Sequence, residues 1–132
     1  MTNLSVSHAL ALVQRVLDTA GAQSTPVAVA VVDVGGHVVA SARGDGVGFV
    51  AADFARRKAV AATSFGAPTH ALADTFAQDP KLTAAFTGSP DVSLLPGGFP
   101  VIVGGVCIGG VGISGGHYSQ DQAVGEKALQ EG

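Results

Sequence analysis

Apolar residues first recur along the chain at helical spacing. Val6, Leu10, Val13, Leu17 and Ala20 fall three or four apart, which predicts a helix over Ser5 to Ala20 with those side chains on its buried face. Ser5 or Ser7 supplies a cap and Gly21 a stop. The period changes at Val27. The run from Val27 to Val34 (VAVAVVDV) is β-branched and almost continuously apolar, the pattern of a strand buried on both faces. Gly35-Gly36 then predicts a two-residue hairpin turn, with His37 to Arg43 as the antiparallel return strand. A loop over Gly44 to Gly48 leads to a second helix, Val50 to Phe65, stopped by Gly66 and Pro68. Thr69 caps a third, short helix ending near Asp79-Pro80. From Lys81 to Gly98 no period stands out, and Gly88, Pro90, Pro96 and Gly97-Gly98 mark loops. Phe99 to Val103 and Val106 to Ser114 read as strands around a Gly104-Gly105 turn, with Gly109-Gly110 as a bulge or close contact. Ser119 opens a last helix that runs to Gln130, and Ser119 with Gln122 fits a capping box. The order is α-β-β-α-α-β-β-α. Two hairpins separated by helices predict an α+β fold, an antiparallel sheet with helices packed against it.

A chain of 132 residues predicts a single domain over 1–132. With 47% hydrophobic and 13% charged residues, it is not a disordered, solvating polypeptide. A net charge of -3 with seven Lys+Arg argues against a nucleic-acid partner bound through phosphate neutralisation. One cysteine, Cys107, makes neither an internal disulfide nor a multi-cysteine zinc site. Sparse charge and a mean hydropathy of +0.42 imply more apolar surface than a small monomer can hide, so a homo-oligomer is expected. Met1 to Ala9 places no Lys or Arg ahead of a hydrophobic run, unlike a secretory signal. The apolar centre Phe99 to Ile113 is 15 residues long, against about 20 for a bilayer span. The chain is therefore expected to be cytoplasmic, with no membrane partner.

Candidate chemistry concentrates in two places. Gly112-Ile113-Ser114-Gly115-Gly116 matches G-x-S-x-G, but a nucleophile elbow needs an Asp and a His after the Ser, and only 18 residues follow Ser114. Gly110 to Gly115 matches G-x-G-x-x-G at the wrong end of the chain for a dinucleotide site. What remains is a glycine loop, Ser114 to Ser119, that enters a helix N-terminus. Its N–H groups and the helix dipole suit a carboxylate, although a tight turn that binds nothing needs the same glycines. In the second helix Val50, Phe54, Ala61 and Phe65 share a face with Lys58 at its middle. A lysine there either snorkels out or finds a carboxylate, from the protein or from a ligand. Arg56 points away from that face and Arg57 lies on its edge. None of His8, His37, His70 and His117 shows metal spacing. His117, beside Tyr118 in the glycine loop, is the best-placed acid–base group. Cys107 reads as an inert strand residue.

These pieces resemble the GlcG/HbpS family, the haem-degrading or haem-binding domain family, over nearly the whole chain. The resemblance is carried by Pro26 to Arg43 (PVAVAVVDVGGHVVASAR) with Asp45-Gly46, and by Arg57-Lys58-Ala59 with Ala61-Ala62 and Phe65. It continues in Pro96-Gly97-Gly98-Phe99-Pro100-Val101 and in Gly109 to Asp121 (GGVGISGGHYSQD). It implies a profilin-like fold with a fifth strand, self-assembly from dimers to rings, and haem as the precedent ligand. Gly116-His117-Tyr118 departs from the small or Thr-like residues usual there. The family fixes no axial ligand, so His8, His70, His117 and Cys107 each offer one. The expected function is binding of a carboxylate-bearing small molecule between the second helix and the glycine loop. Lys58, Ser114, Gly115, Gly116 and His117 would hold the carboxylate and Phe49, Phe54 and Phe65 would form the walls. The alternative is a cofactor-independent lyase or isomerase of a small organic or aromatic acid, with His117 moving a proton, Tyr118 beside it, and Arg43 or Lys58 fixing the substrate.

Overall fold

The computed structural model describes residues 3–130. In chain order the elements are α1 (Val6–Ala22), β1 (Ala28–Asp33), β2 (Val38–Arg43), α2 (Phe49–Phe65), α3 (Thr69–Ala77), α4 (Pro80–Phe86), β3 (Gly98–Val103), β4 (Val106–Ser114) and α5 (Tyr118–Leu129). The order read from the sequence holds, with one addition. The segment from Lys81 to Gly98, which reads as loop, contains most of α4, started by Pro80 in its first turn and by an Asp79 carboxylate that accepts from Lys81 N–H at 2.9 Å. This helix buries none of its residues, so it left no apolar period to detect.

The four strands form one antiparallel sheet in the order β2-β1-β4-β3. The fifth strand implied by the resemblance does not occur among the described residues. The turn after β1 is longer than the expected two residues. Val34 to His37 make it, with Asp33 Oδ1 accepting from Gly35 and His37 N–H at 2.9 and 3.1 Å. A bulge does interrupt the β3–β4 ladder, where Val101 faces Gly109 but Ile102 faces Cys107.

The two faces of the sheet differ in side-chain size, and this sets the layers. Val27, Val29 and Val31 of the β1 segment, Val111 and Ile113 of β4 and Phe99 of β3 meet Leu12, Val13, Val16 and Ala20 of α1 and Val124 and Ala128 of α5. Burying each such branched side chain is worth about 1.5–3 kcal/mol, so this is the main core. On the opposite face stand Ala28 and Ala30 of β1, with Gly110 and Gly112 of β4, against α2. A Cβ at Gly112 would overlap the carbonyl oxygen of Ala55, and one at Gly110 the hydroxyl of Thr63. The glycines thus let α2 lie almost directly on the sheet.

Close approach also decides which helix faces are buried. α2 turns Ala55, Lys58, Ala59, Ala61 and Ala62 inward; of the expected stripe only Ala61 and the central Lys58 are buried, while Val50, Phe54 and Phe65 are not. Val50 and Phe65 remain 54% and 42% exposed, because the glycine-lined part of the sheet leaves no room for a large side chain; Lys58 is buried by crossing the end of β4 instead. α1 buries Ala9, Leu12 and Val16, while the expected core positions Val6 and Leu10 are exposed.

Candidate functional site

Lys58 is the most heavily buried charged side chain on α2, at 1% exposure. It crosses the end of β4 and donates to Ile113 O at 2.8 Å and to Asp121 Oδ2 at 3.2 Å. The other oxygen of Asp121 accepts from Gly116 N–H at 3.0 Å. The carboxylate that Lys58 requires is therefore supplied by the protein. A pin joins α2 on one face of the sheet to the first turn of α5 on the other. Burial pushes the Lys58 ammonium below its ordinary value of 10.5, an effect that Asp121 opposes only in part.

The glycine loop is satisfied internally as well. His117, not Ser119, is the N-cap of α5: its Nδ1 accepts from Ser119 N–H at 3.2 Å and lies 2.8 Å from Ser119 Oγ. The reciprocal arm is Gln120 rather than Gln122, its Oε1 accepting from His117 N–H at 2.9 Å. The N–H groups expected to hold an anion at Gly116, His117 and Ser119 are thus occupied by side chains of the same turn. The His117 ring is exposed and lies against Tyr118, centroids 4.0 Å apart. The cap needs Nδ1 as an acceptor, so a neutral ring carries its proton on Nε2.

The structure disperses the remaining expected residues. Phe49 is 75% exposed and walls nothing. Arg43 ends β2 beside a different cavity, of about 590 Å³, at the C-terminal end of α1. Phe65 packs edge-on against Phe76 and Phe86, at 5.6 and 5.8 Å between centroids. Cys107 is half-buried, with Sγ 3.3 Å from Gly109 O. His70 lies at the start of α3, its ring 6.0 Å from that of Phe99. His8 is half-buried on α1.

Phe54 and Tyr118 do come together, in a groove of about 530 Å³ whose walls are mainly apolar. One side is α2 with Phe54 and Arg57; the other is the α3–α4 hairpin with Phe76 and Phe86; Val92 to Pro96 and Tyr118 complete it. The volume lies in the usual range of small-molecule sites. Arg57 is its cation, stacked on Phe54 with the guanidinium carbon 4.4 Å from the ring centre. One Nη donates to Ser89 O at 2.8 Å, the other approaches Asp53 only to 4.0 Å, and Nε is buried without a partner. Helical spacing left Arg57 on the edge of the wrong stripe. The available signal was its place three residues after Phe54, where a guanidinium can cover a ring.

Comparison with known proteins agrees with this architecture. The chain is 34% identical over 107 residues to an uncharacterized 15.0 kDa protein from the dhaT-dhaS intergenic region of Citrobacter freundii, covering 80% of this chain and 75% of that one. Its fold matches the crystal structure of HbpS with a TM-score of 0.88 at 32% identity, over 99% of this chain and 91% of the other. It matches the PduOC:heme complex with a TM-score of 0.88 at 28% identity, over 98% and 94%. The family model described as haem degrading protein HbpS-like matches residues 4–130. The chain belongs to the HbpS-like family.

Proposed function

We propose that this protein binds a small molecule with a flat apolar body and a carboxylate, haem being the first to test, in the groove between α2 and the α3–α4 hairpin. The observation that carries the reading is Arg57, a partly unpaired guanidinium set on Phe54 inside an apolar groove. Such a cation takes a carboxylate through a charge-assisted hydrogen bond from the Nη that Ser89 leaves free, and low-dielectric walls strengthen it. The solved complex of PduOC with heme supports haem as the test ligand. The groove's residues suit that group: Phe54, Phe76 and Phe86 would face the macrocycle and Arg57 a propionate. Tyr118 offers a phenolate-type donor to iron, whereas His8, His70, His117 and Cys107 do not line the groove. The lyase or isomerase reading has less support, because Lys58 and Nδ1 of His117 are both engaged within the protein.

Titration of the protein with haemin, followed in the Soret region, tests the proposal. Arg57→Gln should weaken binding about tenfold or more, the effect of losing a charged hydrogen bond, and Phe54→Ala should weaken it as well. Equal affinity in wild type and both variants, or no binding by wild type, would overturn it.

A further inference from the structure

We infer that the α3–α4 hairpin is a lid over this groove, closed at its neck by Thr69 and latched by three phenylalanines. The gating role rests on the groove being the binding site; the opening itself does not. The hairpin is the part of the fold least tied to the core. α4 buries none of its residues, and α3 only Thr69 and Leu72. Fully buried Thr69 holds the two ends of the excursion together, donating to Leu95 O and accepting from Gly98 N–H, both at 2.8 Å. After α4 the chain turns at Gly88, in the left-handed region with φ +80°. It is then pinned to α2, where Arg57 and Arg56 donate to the carbonyls of Ser89 and Pro90 at 2.8 and 2.9 Å, and Ser93 N–H donates to Arg57 O at 3.2 Å. Among the described residues, no hydrogen bond pins the stretch between Thr69 and Gly88 to α2.

Beyond buried Leu72 and the His70 ring beside Phe99 at the start of α3, what holds that stretch down is a cluster of phenylalanines. Phe65, on the last turn of α2, meets Phe76 and Phe86 edge-on, and Phe76 and Phe86 lie 5.5 Å apart. Phe76 and Phe86 line the groove; Phe65 does not. Swinging the hairpin away breaks both contacts to Phe65 and uncovers Phe54 and Arg57. A segment with few buried apolar contacts opens at a lower free energy than the sheet, so the ligand enters through this motion rather than through global unfolding.

Amide hydrogen exchange on the full chain, without ligand, is the test. Residues 70–86 should exchange much faster than β1 and β4. Phe65→Ala, which removes two edge-to-face pairs, should speed exchange in 70–86 about tenfold or more and leave the sheet unchanged. Phe65→Leu, which keeps most of the bulk, should give a smaller effect in the same place. In stopped-flow mixing with haemin, the rate should level off at high haemin for wild type, and the plateau should rise in Phe65→Ala. Protection of 70–86 equal to that of β1, or acceleration spread equally over sheet and hairpin, would overturn the lid. If haemin fails to bind while 70–86 alone opens, the groove reading falls and the mobile hairpin stands.

Discussion

Asp121→Asn isolates the buried pin between α2 and α5. The amide keeps an oxygen to accept from Gly116 N–H but removes the charge opposite Lys58. The ammonium then retains only the carbonyl of Ile113, at 2.8 Å. Breaking a buried pair by removing one partner costs about 3–5 kcal/mol. A ceiling follows from titration: the variant can always release the proton from Lys58. Doing so at pH 7 against the ordinary 10.5 of an unfolded lysine costs about 5 kcal/mol. The expected loss at pH 7 is therefore about 3–5 kcal/mol, measured by urea unfolding. Where Lys58 is deprotonated in the folded variant, the unfolded chain binds one more proton. Stability then rises with pH by up to about 1.4 kcal/mol per unit until the unfolded lysine itself titrates. Wild type rises in the same direction over a narrower window below 10.5, because burial lowers Lys58 there too. Lys58→Met strands the carboxylate instead and should also destabilise. Lys58→Met combined with Asp121→Leu should recover most of the loss, since a buried pair replaced by apolar groups is often neutral. A loss below about 1 kcal/mol for Asp121→Asn, with the pH dependence of wild type between 7 and 10, would refute the assignment of Lys58 as a buried, protein-paired cation.

Three further outcomes are expected. Gly112→Ala forces a methyl into the carbonyl of Ala55 and should cost several kcal/mol, on the scale of ~3 or more for overpacking with backbone shift, whereas Gly21→Ala, with open space around it, should be nearly neutral or stabilising; thermal melts of both decide this. His117→Ala removes the N-cap of α5 and should lower stability by about 1 kcal/mol, and His117→Asn should restore it, so unfolding curves for the pair separate a capping role from none. Light scattering at micromolar concentration should show an assembly larger than 13.0 kDa, because Val6, Leu10, Val38, Ile102 and Val106 are all exposed apolar residues; a monomer would refute this.

Local signals in the sequence determined the elements. Valine-rich β1, the Gly104-Gly105 turn and the apolar run of β4 need only nearest neighbours to be read, and they gave the strand boundaries within a residue or two. The need of Lys58 for a carboxylate was equally legible, since a charge amid apolar positions has few outcomes. Its partner was not. Asp121 lies 63 positions away, and only the packing of the middle of α2 across the end of β4 brings them within hydrogen-bond distance. The same holds for the groove. Phe54 and Arg57 are a local pair, but Phe76, Phe86 and Tyr118 join them through the packing of α3, α4 and α5, elements that carry weak periods of their own. Helix faces were misjudged for a related reason. Periodicity ranks residues by hydrophobicity, whereas the glycine-lined face of the sheet selects by size. That choice buried the alanines of α2 and turned its larger apolar residues, Phe49, Val50 and Phe65, outward.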